Sequence, residues 1–218
     1  MTDFAQARRM MVDGQIRIND VTDLDLLAAF GEVPRERFVP PDRQAIAYLD
    51  RDVALDGGGR WLIKPMVLAK LIQAAGVGEG DRVLDVGCGT GYASAILARL
   101  GASVTALEED PALAAAAVSA LAAAGAADVT LVTGRLAAGW AARAPYDAIL
   151  LGGSAEIVPQ ALLDQLGDGG RLVGVIGSAP IGHATLYRRS GTHVSARREF
   201  DAVAPLLPGF AKPPAFVF

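Results

Sequence analysis

The segment 82–92 constrains the fold most strongly, because it passes from a buried strand through a glycine-rich turn into the start of a helix: RVLDVGCGTGY. The apolar run at 83–86 is typical of a strand buried in a parallel sheet. Gly87, Gly89 and Gly91 come next, and glycine lets backbone N–H groups approach a ligand closely. This unit indicates an open α/β sheet, in which ligands bind beyond the carboxyl ends of the strands.

Two acidic residues stand at the ends of predicted strands near this turn. Asp85 precedes the glycines, and Glu108 follows the next predicted strand, 103–107. An acidic side chain about 20 residues beyond such a turn can accept hydrogen bonds from ribose hydroxyls. The two acids favour a ligand site over the alternative, a tight strand-to-helix connection that binds nothing. Cys88, inside the turn, is predicted to be a small filler rather than a nucleophile.

Strand and helix patterns alternate from residue 82 onward. Predicted strands cover 82–86, 103–107, 128–132, 147–151 and 171–176. Predicted helices cover 91–100 and segments beginning at Pro111 and near Pro159, and a turn is predicted at 168–170. Two further strands, about 183–189 and 193–201, are expected to pair as an antiparallel hairpin. The predicted fold class is α/β: a doubly wound, mainly parallel seven-stranded sheet with an N-terminal helical extension and a C-terminal antiparallel hairpin.

The first 64 residues are predicted to form the helical extension, and residues 65–218 the ligand-binding domain. Helices are expected at 3–18, from Leu24 to before Pro34, and at 42–49, with a stiff connector at 34–41. Residues 50–59 look irregular, and either a rim of the substrate site or a slack connection fits them. A helix is predicted from Pro65 to a stop at Gly76.

Bulk composition excludes several classes of function. The 218 residues carry a net charge of −4, so binding to nucleic acid through neutralised phosphates is not expected. The single cysteine rules out an internal disulfide and a thiolate zinc cluster, and no metal site is predicted. No leader pattern and no membrane span is recognised, which favours a cytoplasmic protein. The apolar tail, 205–218, is predicted to pack along the sheet edge, and a monomer or a homodimer is expected.

The glycine spacing G-x-G-x-G differs from the dinucleotide pattern G-x-G-x-x-G. It resembles motif I of the class I S-adenosylmethionine-dependent methyltransferases. Over nearly its whole length the chain further resembles the protein-L-isoaspartate (D-aspartate) O-methyltransferases. The matching segments are 35–40 (RERFVP), 83–92 (VLDVGCGTGY), 144–149 (APYDAI) and the Asp-Gly-Gly turn at 168–170. The resemblance implies S-adenosylmethionine as cofactor and protein or peptide substrates, methylated on the α-carboxylate of an L-isoaspartyl residue. The ester then closes to a succinimide, which begins repair.

Three segments depart from the family pattern. Where the family usually has Thr-Ile-Ser-Gln-Pro, this chain has residues 61–65, WLIKP, and Ile63 stands at the serine position. A usual Gly-Asp-Gly is replaced by Gly134-Arg135-Leu136, and a usual Thr-Ala-Ala by Gly152-Gly153-Ser154. Two other interpretations therefore stay open: a methyltransferase with a different substrate, and a degenerate scaffold that serves as an interaction module. A nicotinamide dehydrogenase is the weakest alternative.

The pattern and the resemblance together predict a set of cofactor-binding residues: Asp85, Gly87, Cys88, Gly89, Gly91, Glu108, Glu109, Gly134, Arg135, Leu136 and Gly152. The catalytic residue stays unknown, because Ile63 occupies the family's serine position. A carboxylate nucleophile is already ionised at neutral pH and needs no general base. Lys64 is a candidate contact for an acidic substrate group, or simply an exposed lysine at a helix start. Glu109 either lines the adenine side or caps the next helix, and Arg135 either stacks on adenine or faces outward.

Overall fold

The computed structural model describes residues 3–55 and 59–213. Within them the α-helices are α1 (Phe4–Met11), α2 (Leu24–Glu32), α3 (Pro65–Ala75), α4 (Tyr92–Arg99), α5 (Pro111–Ala123) and α6 (Gln160–Asp164). The strands are β1 (Val53–Ala54), β2 (Trp61–Leu62), β3 (Arg82–Val86), β4 (Ser103–Glu108), β5 (Thr130–Thr133), β6 (Tyr146–Ala155), β7 (Leu166–Ser178), β8 (Ile181–Ser190) and β9 (His193–Asp201).

Seven of these strands form one sheet in the order β5-β4-β3-β6-β7-β8-β9. The strands from β5 to β7 run parallel, whereas β8 and β9 are antiparallel to their neighbours. Asp85 of β3 stands beside Ala106 of β4 and Leu150 of β6. The predicted fold class is confirmed, and the carboxyl end of β3 lies at the centre of the sheet, where its turn can meet ligands.

Several predicted elements have different limits. The single helix expected over 3–18 is α1 followed by a π-helical turn (Val12–Ile16) and a 3₁₀ turn (Arg17–Asn19). The helix expected at 42–49 is a 3₁₀ segment (Pro41–Ile46), and part of the connector before it forms another (Arg35–Phe38). Gly14 lies within the π-helical turn, and glycine weakens a regular α-helix.

Two corrections concern strands. The turn predicted at 168–170 belongs to β7, and it lies within a shift of register in the pairing with β6, between the pairs Tyr146–Leu166 and Ala148–Arg171. Residues 50–59, expected to be irregular, contain β1, which pairs antiparallel with β2, and residues 56–58 lie outside the described part of the chain. Helices α3 and α5 begin at Pro65 and Pro111, as predicted, and Gly76 ends α3 in a left-handed conformation.

Side chains of the sheet alternate between two hydrophobic clusters, one on each face. Val83 belongs to the cluster that contains the N-terminal extension, whereas Leu84 and Val86 belong to the opposite one. The ring of Tyr92 packs against those of Phe30 and Phe38, at centroid distances of 6.0 and 5.5 Å. The extension therefore shares a core with the sheet, and its division from residue 65 onward stays a prediction.

The C-terminal tail returns to the centre of the sheet rather than to its edge. Leu206 forms a parallel bridge with Ser154, and Leu207 and Phe210 are buried. The remainder of the predicted tail contact, 214–218, lies outside the described residues. Across residues 3–55 and 59–213, no helix combines the length and apolar character that a bilayer crossing requires. The same residues contain no group of three or more His, Cys, Asp or Glu side chains suited to a metal ion.

Candidate active site

The glycine turn at the carboxyl end of β3 has a backbone that other residues rarely adopt. Gly87, Gly89 and Gly91 have φ values of +75°, +58° and +92°. The N–H groups of Gly87 and Cys88 both donate to the carbonyl of Leu107, at 2.9 and 3.1 Å, which ties the turn to β4. Gly91 then caps α4. The turn is thus held against β4, and its glycines place no side chain of their own over the backbone.

Gly152 lets β6 pass directly against this turn. A Cβ added at Gly152 would lie 2.4 Å from the carbonyl oxygen of Gly87. The next residue is equally constrained, because a Cβ at Gly153 would lie 2.7 Å from the carbonyl oxygen of Pro205. The glycines at the end of β6, which replace the residues usual in the resembling family, therefore allow β3, β6 and the tail to meet.

Asp85 is fully buried below the turn. Its Oδ2 accepts a hydrogen bond of 2.6 Å from Ser94 of α4, whereas its Oδ1 has no hydrogen-bond partner among the described residues. Burial raises the pKa of Asp85 from 3.8 to about 6, opposed by the bond from Ser94. A buried carboxylate oxygen without a partner is a costly group, and it suits a bound donor or cation.

Glu108 ends β4 and is also fully buried. Its carboxylate accepts backbone N–H bonds from Gly89 at 2.7 Å, Glu109 at 2.8 Å and Asp110 at 3.0 Å. It also forms a bidentate ion pair with Arg60, whose Nη1 and Nη2 lie 2.5 and 2.8 Å from Oε1 and Oε2. The sequence analysis did not identify Arg60. Its one signal is a lone arginine between a glycine run and the apolar WLI segment.

Three side chains cover the glycine turn. A Cβ added at Gly87 would lie 2.8 Å from Leu207 Cδ2 and 3.2 Å from Arg60 Nη2. A Cβ added at Gly89 would lie 2.6 Å from Leu55 Cδ1. Beside Asp85 and the turn lies a cavity of about 10 Å³. The residues that line it come from the segment 61–63, here called the substrate-side segment, and from α3, β3, the glycine turn, α4 and β6. They are Trp61, Leu62, Ile63, Leu68, Asp85, Gly87, Cys88, Ala93 and Gly152.

Arg35 forms a hydrogen bond to the substrate-side segment. This arginine is fully buried and donates to the carbonyls of Ala47 at 2.7 Å and Ile63 at 2.8 Å. Its guanidinium also lies over the ring of Tyr92, 4.9 Å from the centroid. Because Tyr92 begins α4 directly after the glycine turn, Arg35 couples the two halves of the site.

Lys64 is half-buried at the N-terminus of α3. The backbone N–H of Lys64 donates to Asp52 at 2.8 Å, and that of Met66 donates to Asp50 at 3.2 Å. These two carboxylates satisfy the helix start and offset the lysine's unfavourable position on the helix dipole. The position of its charge therefore does not require a functional explanation.

The other predicted residues range from buried to exposed. Cys88 is buried, and burial raises the pKa of its thiol well above the ordinary value. Leu136 is buried, and Gly134 donates to the Glu108 carbonyl at 3.0 Å. Glu109 and Arg135 are exposed. The Glu109 carboxylate accepts a long hydrogen bond, 3.4 Å, from the N–H of Leu136.

Comparison with known proteins identifies the family. The model of the protein-L-isoaspartate(D-aspartate) O-methyltransferase family matches residues 7–203. The chain belongs to this family. The protein-L-isoaspartate O-methyltransferase of Methylorubrum populi is 44% identical over 213 residues, which is 96% of this chain and 98% of that protein. The Methylorubrum extorquens enzyme of the same name is 42% identical over 211 residues, 95% and 91% of the two chains.

Solved structures show the same fold. A protein-L-isoaspartate O-methyltransferase superposes with a TM-score of 0.81 at 24% identity, covering 93% of this chain and 66% of that one. A Plasmodium falciparum structure in complex with S-adenosyl-L-homocysteine gives a TM-score of 0.78 at 18% identity, covering 90% and 96%. As a member of this S-adenosylmethionine-dependent family, the chain is a methyltransferase, and the predictions of family, enzyme class and cofactor are confirmed.

The backbone and acids of this isoaspartate methyltransferase family member fit the cofactor. The glycine turn offers a cradle that a Cβ would fill, and Asp85 Oδ1 is an acceptor without a partner among the described residues. The side chains of Leu55, Arg60 and Leu207 fill the space above that cradle. The frame of the site is therefore formed, and these three side chains lie over its glycine turn.

Proposed function

We propose that this chain transfers a methyl group to the α-carboxylate of L-isoaspartyl residues in proteins and peptides. The observation that carries the proposal is the shared cavity wall, in which the substrate-side segment (Trp61–Ile63) meets Asp85 and the glycine turn. The relatives of that name align with both parts of the site, because they cover the chain from the extension to the hairpin.

The chain's own residues would act by binding and alignment. S-adenosylmethionine supplies an electrophilic methyl group on a sulfonium. Asp85 would face the cofactor's positive charge with its partnerless Oδ1, and Glu108 would accept from the ribose. The remaining predicted residues, Gly87, Cys88, Gly89, Gly91, Glu109, Gly134, Arg135, Leu136 and Gly152, would form the cradle and rim of this pocket.

The substrate would enter over the segment 61–64. A carboxylate is ionised at neutral pH, so positioning and exclusion of water suffice without a general base. Ile63, buried at the family's serine position, has no hydroxyl to position it. Lys64 is the candidate that would hold the acidic group as a point charge. A cytoplasmic location and a monomeric or homodimeric state stay predictions.

Labelled methyl transfer to two matched peptides tests the proposal. One peptide carries an L-isoaspartyl residue, and the other a normal aspartyl residue at the same position. We expect transfer to the isoaspartyl peptide alone, its loss in Glu108→Gln, and no change in Asp128→Asn, an exposed acid away from the site. Transfer to neither peptide by protein that binds S-adenosylhomocysteine would reject isoaspartate methylation and favour another substrate.

A further inference from the structure

The carboxylate of Glu108 has no hydrogen-bonding capacity left. A carboxylate offers about four acceptor sites, and this one already receives five bonds, three from backbone N–H groups and two from Arg60. The three backbone bonds are local to the turn and to the start of α5. Arg60 lies 48 positions from Glu108 in the sequence, and its two bonds are the ones that can be exchanged for bonds from another donor.

The ribose hydroxyls of a cofactor are donors to the same carboxylate. These hydroxyls would require the acceptor positions of the Glu108 carboxylate that the Arg60 guanidinium occupies, because the backbone N–H groups occupy the other acceptor positions. The pair is well shielded, with side-chain exposures of 8% for Arg60 and 0% for Glu108. Water therefore screens it little, and a ribose cannot be added alongside the guanidinium.

The free volume beside Asp85 is also small. The cavity of about 10 Å³ beneath the segment 61–63 holds about one water molecule, whereas pockets for ligands of cofactor size measure roughly 300–1,000 Å³. Arg60 Nη2 also lies 3.2 Å from the Cβ position of Gly87, over the backbone that a ligand would approach. A cofactor and Arg60, in its observed position, cannot occupy the site together.

We propose that Arg60 is an internal ligand of the cofactor site, which takes the place of the ribose hydroxyls on Glu108 and must leave before the cofactor binds. The proposal rests on the cofactor class of the family and does not depend on an isoaspartyl substrate. Arg60 directly precedes β2, and β1 and β2 pair over only two residues each, so the backbone that carries Arg60 belongs to a short element. The observed cofactor affinity is therefore the intrinsic affinity multiplied by the fraction of molecules in which the ion pair is open.

Calorimetric titration with S-adenosylhomocysteine tests this competition. Arg60→Gln removes the charged fork, and we expect it to bind about tenfold more tightly than the natural chain, the gain that results if about a tenth of the molecules are open. Arg60→Lys keeps a positive charge on Glu108 and should stay near the natural affinity. Arg99→Gln breaks an exposed pair with Glu32 and is the matched control, for which no change is expected.

A fluorescence measurement reports the displacement itself. Trp61 adjoins Arg60 and lines the small cavity, and Trp140→Phe leaves it as the only tryptophan of the chain. Addition of S-adenosylhomocysteine should change the Trp61 emission in that background, and the change should shrink when Arg60→Gln is added. Equal or weaker binding by Arg60→Gln, or no binding by either chain, would overturn the proposal. Tight binding without isoaspartyl transfer would instead reject only the proposed substrate.

Discussion

Asp85 is the residue whose protonation couples the site to pH. It is fully buried, one oxygen is bonded to Ser94, and the other has no partner among the described residues. Burial raises its pKa to about 6, so the native state holds a proton that the unfolded chain has released by pH 5. This group stabilises the fold fully below about pH 4, and its contribution is lost as pH rises through 6.

Asp85→Asn should remove that dependence. The shift of roughly two pKa units corresponds to ~3 kcal/mol, so the variant should gain that much unfolding free energy relative to the natural chain between pH 4 and pH 7. Urea unfolding of both chains at several pH values measures the difference. Parallel stability curves across this range would show that Asp85 titrates at its ordinary pKa in the folded protein.

At the scale of elements, the end of β6 controls whether the glycine turn can form. Gly152 lies where any Cβ would come within 2.4 Å of the Gly87 carbonyl oxygen. The backbone at Gly87 and the backbone at Gly152 both lie in the middle of the sheet, and neither can move away without disturbing the pairing of β3 with β6. A side chain at this position must therefore displace the turn.

Gly152→Ala should lower the unfolding free energy by about 1–3 kcal/mol, the usual cost of overpacking. It should also weaken S-adenosylhomocysteine binding, because the turn is displaced. Gly14→Ala is the control, since a Cβ there meets nothing within 4 Å and its φ is not positive. Unfolding in urea and titration calorimetry measure the two effects. Normal affinity in Gly152→Ala would show that the turn tolerates the shift.

The predictable elements are those whose pattern is local. β3 and its turn, and α3 and α5 with their prolines at the first position, follow from periodicity and capping, which nearby residues determine. The pairing of Arg60 with Glu108 joins residues 48 positions apart, and no local rule predicts it. The π-helical turn after α1 and the return of Leu207 over Gly87 likewise depend on tertiary packing.

Across the molecule as a whole, Arg35 joins the N-terminal extension to α4. Its bonds to Ala47 and Ile63 and its position over Tyr92 link three segments in one buried contact. Since the extension and the sheet also share a hydrophobic cluster, we expect them to unfold together in one transition.

Arg35→Met should lower the unfolding free energy of the molecule by about 2–4 kcal/mol, because two buried carbonyls lose their donor. Arg37→Met is the matched control, since Arg37 is exposed and donates to one carbonyl, that of Ala123. Urea unfolding followed by both near-ultraviolet circular dichroism and tryptophan fluorescence gives the two values. Separate transitions in the two signals would show that the extension is an independent unit.

The cover that Leu207 forms over Gly87 also matters while the chain is being made. The tail is joined to β6 by bonds from Ser154 N–H to Pro205 and from Leu207 N–H to Ser154, at 2.8 and 2.9 Å. Translation proceeds from the N-terminus, so the glycine turn leaves the ribosome about 120 residues before its cover, several seconds earlier at ordinary elongation rates. During that interval the nascent chain lacks the part of the cover that Leu207 supplies, and the pocket acquires its native wall only when residue 207 has emerged.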